Sequence, residues 1–444
     1  MHEAQMPGVC SGFNHYSIIT MEALFAISNM VIIVFFCWWY WRKQELPFRK
    51  FYWHALAAKL SAGILLGIIY AATYTTSDTF SLFEWSKELS YEARRDFVWY
   101  LNYLWKGQHE GYFQGIERTL FFVKLTSIFA LMTNDNYWIS SLYFSLLSFL
   151  AGWKLTKVIW KRFPEMGIPA VVAILFFPSC VFWTSGIMKE SIAMTALFFL
   201  SAVFLKFWMK KRVSVMEVIG GGLSIVFVWK LKYYYIGLLA PLLAAAWLTR
   251  KIVEWRKISS FSLELGILAV TLSVFLFIGS LVHPNFSLQK IPQVLVSNNQ
   301  LLMEASSSEN VVNYHNLEAT WGSIVINSPW ALVAGLFRPF IWEADSILKV
   351  LTSLENLVLL VLVISSWRLV KNIGGSPHRL LITAVLLYCL LLCVFLAIAT
   401  PNFGTLVRYR IGFLPFLLLL IINQPFLVRH LAKTFNVHLP HLPR

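Results

Sequence analysis

The stretch "FPSCVFWTSGIMKESIAMTALFFL" (residues 177–200) places two apolar runs on either side of a short polar break. The break holds Thr184, Ser185 and Gly186, followed by the adjacent pair Lys189 and Glu190. Glycine between small polar residues is turn chemistry, and each flanking run is apolar enough to be a membrane helix. The reading that follows is a chain that reaches a membrane boundary, turns, and goes back in. A charged pair then stands at the rim of the returning helix. Ionised side chains at membrane depth are costly and are functional or paired. A glutamate in the first helical turn also suits the helix dipole.

The rest of the chain carries the same pattern. Of 444 residues, 58% are hydrophobic and 13% charged, whereas a soluble domain carries about 25% charged residues. The mean hydropathy is +0.65. Apolar runs near the roughly 17–25 residues needed to cross a bilayer recur throughout. The fold class is therefore all-α: a polytopic helical membrane protein of about eleven spans, forming one integral membrane domain over residues 1–444. The expected spans are 18–40, 55–74, 137–153, 168–183, 192–209, 216–229, 234–248, 261–281, 354–367, 380–400 and 411–428.

Lysine and arginine orient these spans. Arg42, Lys43, Arg49 and Lys50 follow the first; Lys154, Lys157, Lys161 and Arg162 the third; Lys206, Lys210, Lys211 and Arg212 the fifth. Arg250, Lys251, Arg256 and Lys257 follow the seventh, Arg368, Lys371 and Arg379 the ninth, and Arg429 and Lys433 the last. All fall on one side if the N-terminus is outside and the C-terminus cytoplasmic, as the positive-inside rule requires. That collection also accounts for the net charge of +15, so no nucleic-acid partner is needed. The apolar run 120–132 is too short to span and would invert every later loop if it did. It is expected to lie in the plane or re-enter. Two outward segments are long: a first outer loop, 75–136, containing that helix, and a second, 282–352, with an amphipathic segment over 323–345.

With this topology, charges from distant segments meet at the outer level. They are Asp78; Lys189 and Glu190; Lys230 and Lys232, followed by Tyr233, Tyr234 and Tyr235; Arg338, Glu343 and Asp345 in "LFRPFIWEADS"; and Arg408 and Arg410 in "NFGTLVRYR". Lys189, Lys230, Lys232, Arg338, Arg408 and Arg410 form a cationic set suited to phosphate oxygens. Tyr233, Tyr234 and Tyr235, with Trp183 and Trp342, could stack on sugar faces or isoprenoid chains, and Tyr234 and Glu343 belong to the candidate substrate-binding group. Asp78 and Glu190 are the candidate catalytic carboxylates, with Asp78 able to take a proton from an acceptor hydroxyl. No Gly-rich nucleotide loop, HExxH or Cys/His zinc spacing occurs. No cofactor is assigned with certainty, and a divalent metal ion remains open.

The layout resembles the GT-C superfamily of membrane glycosyltransferases. "TSDTFSLFEWSKEL" is similar to the first outer loop of that family, with Asp78 in the place of its loop aspartate. "NFGTLVRYRIGFLPFLLLL" is similar to the arginine-bearing turn before a late span in bacterial members. The chain differs in having Ser77 before Asp78, so it lacks the Asp-X-Asp or Glu-X-Asp pair, and in having no soluble outer domain. The resemblance implies a polyprenyl-phosphate-linked sugar as donor, a glycan or lipid acceptor, membrane lipid as surroundings, and action on the periplasmic face of a bacterial inner membrane. Two alternatives stand beside it. An O-antigen or exopolysaccharide polymerase would join polyprenyl-diphosphate-linked repeat units through arginine-rich loops. A lipid or glycan transporter would carry charges in mid-span, where this sequence has only Glu22 and Lys59.

Overall fold

The computed structural model describes residues 11–45, 48–73, 78–106, 117–282, 286–367 and 372–437, with side chains for all of these except 11–21, 78 and 282. Helices dominate, and among the described residues there is no strand beyond a single bridge between Val311 and Asn402. Eight helices are long and apolar enough to cross a membrane, or up to nine if one bent pair counts as a span. Many of their apolar residues point outward: only 17% of the window in Phe261–Leu281 is buried, and 17% in Ile347–Ser365. In water such surfaces would be unfavourable, but in a bilayer the medium is itself hydrocarbon. The chain is an all-α polytopic membrane protein.

The described residues divide into two compact units. The first contains residues 1–146 and Ser185–Met188. Its helices are α1 (Ser11–Arg42), α2 (Tyr52–Thr73), α3 (Asp78–Arg95), α4 (Phe97–Lys106), α5 (Glu117–Met132) and the start of α6 (Tyr137–Arg162). Helix α5 has 16 residues, about 24 Å, which is short for a span. It packs along α3, where the Ser86 hydroxyl lies 3.2 Å from the Val123 carbonyl oxygen and Arg94 pairs with Asp135 at 2.6 Å. The break in the opening stretch is held here too. Gly186 has φ +68°, a conformation that a side chain disfavours, and its N–H donates to the Ser145 hydroxyl at 2.9 Å. Thr79 donates to the Ile187 carbonyl at 2.8 Å.

The second unit contains residues 147–184 and 189–444. After the end of α6 come α7 (Gly167–Ala170), a π-helical turn (Val171–Phe176) and α8 (Pro178–Phe182). Then follow α9 (Lys189–Trp208), α10 (Val215–Arg256), α11 (Phe261–Val282), α12 (Lys290–Glu304), α13 (Trp321–Phe337) and α14 (Ile347–Ser365). The last four are α15 (Arg379–Ala399), α16 (Phe403–Tyr409), α17 (Leu414–Ile421) and α18 (Pro425–Thr434).

Helix α10 has 42 residues; if straight it would be about 63 Å long, twice the hydrocarbon thickness. It does not run straight. Near its start, Glu217 pairs with Lys206 at 2.5 Å and with Lys154 at 3.0 Å. Near its finish, Glu254 pairs with Lys210 at 3.3 Å and Arg250 donates to the Trp208 carbonyl at 2.6 Å. Lys206, Trp208 and Lys210 all lie at the C-terminal end of α9. Both ends of α10 therefore meet the same end of α9, while Lys232, near its middle, meets Glu190 at the other end. The helix doubles back at Lys232, the one residue with non-helical angles (φ −144°, ψ 62°). The two spans expected over 216–229 and 234–248 are thus two arms of one folded-back helix.

These contacts define two ends of the second unit. The basic end carries Lys206, Lys210, Arg250 and also Arg379, whose guanidinium pairs with Glu264. The opposite, Glu190 end carries the α10 bend and the C-terminus of α15, where Asn299 donates to the Ile398 carbonyl at 2.6 Å.

Three expected segments differ from the structure. The span over 168–183 is broken, because Phe177 is extended (ψ 125°) ahead of Pro178. The span over 411–428 is also broken: Phe403–Gly412 and Leu414–Ile421 meet at 66°, and Pro425 opens a separate helix, α18. The segment over 323–345 contains an apolar helix, α13, that packs closely on α15; a Cβ added at Gly335 would sit 2.6 Å from the Cys393 sulfur.

Candidate functional site

Three elements of the second unit bring charge together at the Glu190 end. Helix α9 begins at Lys189, so Glu190 lies in its first turn, on the buried side. The α10 bend frees Lys232 from the helical spiral and turns it inward. Helix α16 supplies Arg408 and Tyr409.

Lys232 Nζ lies 2.8 Å from Glu190 Oε1, and Arg408 Nε lies 3.6 Å from the same oxygen. The Glu190 and Lys232 side chains are only 4% and 6% exposed, and Arg408 is 15% exposed. The ammonium also sits 3.4 Å from the centroid of the Tyr409 ring, a cation–π contact that is strongest when water is excluded. Tyr235 holds the backbone at that residue by donating from its hydroxyl to the Tyr409 carbonyl at 2.8 Å. Gly412 makes room for Tyr235, since an added Cβ would fall 2.3 Å from its ring. The Tyr234 and Tyr409 ring centroids are 6.5 Å apart. The Tyr234 hydroxyl is buried and makes no hydrogen bond among the described residues.

Two cations share one carboxylate in a place with little water. Charged groups there must be compensated by one another or by a ligand. Glu190 was expected to act as a catalytic carboxylate. It lies between Lys232 and Arg408, in contact with both cations.

The other expected residues are distributed as follows. Lys189 and Lys230 are half-buried and flank the cluster in sequence. Arg338 and Glu343 form a separate pair: Arg338 Nε donates to Glu343 Oε2 at 3.1 Å, and the same carboxylate accepts from the Phe340 N–H at 2.7 Å. The Arg338 guanidinium lies 4.6 Å from the Phe403 ring centroid. Arg410 is 1% exposed. It donates to Asn356 Oδ1 at 2.5 Å and to the Leu336 carbonyl at 3.3 Å, and lies 3.4 Å from Glu355 Oε1. Glu355 accepts from the Ser179 N–H at 3.0 Å, and Asn356 donates to the Pro339 carbonyl at 3.0 Å. Arg410 thus ties together α8, the end of α13, and α14, and it is consumed in that network. Asp78 opens α3 in the first unit, and its side chain lies outside the described residues.

Tyr409 was absent from the sequence-based set, although it stands between two arginines that were in it; only the bend of α10 brings Lys232 over its ring. Among the described residues no three His, Cys, Asp or Glu side chains converge to hold a metal ion.

No family model matches the chain, and neither a curated protein nor a solved structure does.

Proposed function

We propose that the protein is a membrane glycosyltransferase that moves a sugar from a polyprenyl-phosphate-linked donor to a glycan or lipid acceptor. In this reading the basic end faces the cytoplasm, and the Glu190 end works at the outer face of a bacterial inner membrane. The observation that carries the proposal is the buried cluster in which Lys232 and Arg408 share Glu190. The cluster presents an ammonium and a guanidinium side by side, and the donor's phosphate is an anion delivered at membrane depth. Arg408 would grip its oxygens through its planar fork, and the buried Tyr234 hydroxyl would gain a partner.

In the reaction the acceptor hydroxyl attacks the anomeric carbon. The bond from that carbon to the phosphate oxygen breaks, and the polyprenyl phosphate leaves with the electron pair. Lys232 and Arg408 stabilise the charge that develops there. A base must take the acceptor proton, and Asp78 is proposed for that role from its place in the sequence alone.

The test is transfer of a radiolabelled sugar from its lipid carrier in proteoliposomes. Asp78→Asn should lower turnover by about 10²–10⁴-fold with donor binding retained. Arg408→Ala should weaken donor binding as well as turnover, and Arg408→Lys should restore only part. A cationic site that works without Asp78 is the feature favouring the second reading, a polymerase acting on polyprenyl-diphosphate-linked units. Near-normal activity in Asp78→Ser would move the assignment there.

A further inference from the structure

The second unit also encloses a cavity of about 320 Å³ near its basic end, walled by α6, α9, the second arm of α10, α15 and α17. This volume lies at the lower end of the roughly 300–1,000 Å³ typical of ligand pockets. Its deep wall is apolar, with Leu239, Leu243, Val385 and Phe416. The polar side chains on that wall are already satisfied: the Tyr388 hydroxyl donates to the Gly412 carbonyl at 2.9 Å and the Ser201 hydroxyl to the Leu197 carbonyl at 2.7 Å. Such a space does not hold water.

The other end differs. Glu165, Ser376, His378 and Asn423 line it, contributed by the segment after α6, the approach to α15 and the end of α17. Glu165 and Pro377 are exposed there, so the cavity opens at this end. The Phe163 ring meets His378 edge-on, with centroids 4.8 Å apart. Lys161 and Arg162 stand just before Phe163 in sequence.

We infer that this cavity binds one acyl chain of a phospholipid from the leaflet at the basic end. The chain fills the dry interior, the ester region meets the hydrogen-bonding groups at the opening, and the headgroup phosphate lies at the level of Lys161 and Arg162. The polarity of the cavity matches such an amphiphile end to end. The walls are membrane helices, so the chain arrives from the surrounding bilayer. A polyprenyl chain fits less well: its phosphate belongs, in the reading above, at the opposite end. The acyl-chain inference rests on the membrane setting, and only the preference over a polyprenyl chain rests on the proposed transferase reading.

The test uses the full chain in phosphatidylcholine–phosphatidylglycerol vesicles containing phosphatidylcholine with a diazirine at the end of one acyl chain. After illumination and digestion, label is expected on peptides holding Leu239, Leu243, Val385 or Phe416. Leu243→Trp, which fills the cavity, should reduce that label severalfold. Ser201→Phe is a second, independent filler from α9 with the same expected result. Label at Phe277, 65% exposed on α11, should be unchanged in both. Cavity peptides labelled no more than background, label that persists in both variants, or preferential labelling by a polyprenyl diazirine would each overturn the inference.

Discussion

Glu190 and Lys232 are 42 residues apart in sequence and 2.8 Å apart in space, with neither side chain more than 6% exposed. The contact joins the first turn of α9 to the bend of α10. It therefore holds closed the hairpin that a continuous helix would otherwise prevent, and it places an ammonium over Tyr409.

Removing Glu190 takes the shared carboxylate from two cations, whereas removing Lys232 leaves Glu190 beside Arg408. Glu190→Gln should cost about 3–5 kcal/mol and Lys232→Met less, and the double variant should cost less than the sum of the two singles. Unfolding of the purified protein in detergent, followed by denaturant titration, measures all three. A double variant as unstable as the sum of the singles would show that the two residues act independently.

The hairpin makes a prediction about sidedness. Cysteines introduced by Lys211→Cys and Ser260→Cys, before and after α10 and its turn, should react with an impermeant thiol reagent from one side of the membrane. Gln289→Cys, beyond α11, should react from the other. All three sites are exposed, and the native cysteines among the described side chains are buried. If Lys211→Cys and Ser260→Cys label from opposite sides, α10 crosses once and the bend at Lys232 has been misread.

Arg408 and Arg410 are two residues apart and should behave oppositely. Arg410→Met removes the hub linking Ser179, Leu336, Asn356 and Glu355, and leaves Glu355 with a buried charge. We expect a loss of stability of about 3–5 kcal/mol, with activity lost in proportion to folded protein. Arg408→Ala should leave more folded protein but lower activity per folded molecule. Fluorescence-detected size exclusion alongside the transfer assay separates the two effects.

His378 gives a pH dependence. Burial holds its imidazole below the ordinary value of 6.5, with Arg250 pushing the same way and Glu165 opposing. The unfolded chain therefore takes up a proton more readily than the folded one, and stability must fall as pH drops below about 6.5 and be fully present above it. The unfolding midpoint should drop between pH 7.5 and 5.5 by less in His378→Gln than in the wild type. Equal drops would mean that other groups carry the acid sensitivity.

The sequence by itself determined the class of this protein. Its apolar runs are long enough, and its charges few enough, that only a bundle of membrane helices satisfies the backbone. The turn at Gly186 and the short helix over 120–132 were legible from local chemistry, because turn residues and run length act within one segment. The two arms of α10 were legible as two hydrophobic runs, but their fusion into one helix bent at a single residue was not: Lys230 and Lys232 look like loop residues when their surroundings are unknown. Which charges meet was decided by tertiary structure alone. Nothing in "VRYR" distinguishes Arg408 from Arg410, yet helical positions two apart point about 200° apart, and the first reaches Glu190 while the second turns into α14. Glu355 and Asn356, which receive Arg410, lie in an ordinary apolar run and gain their meaning only from packing. Pairing energies between buried charges depend on distances of a few ångströms across the bundle, and a linear pattern of hydrophobic and basic residues contains no record of them.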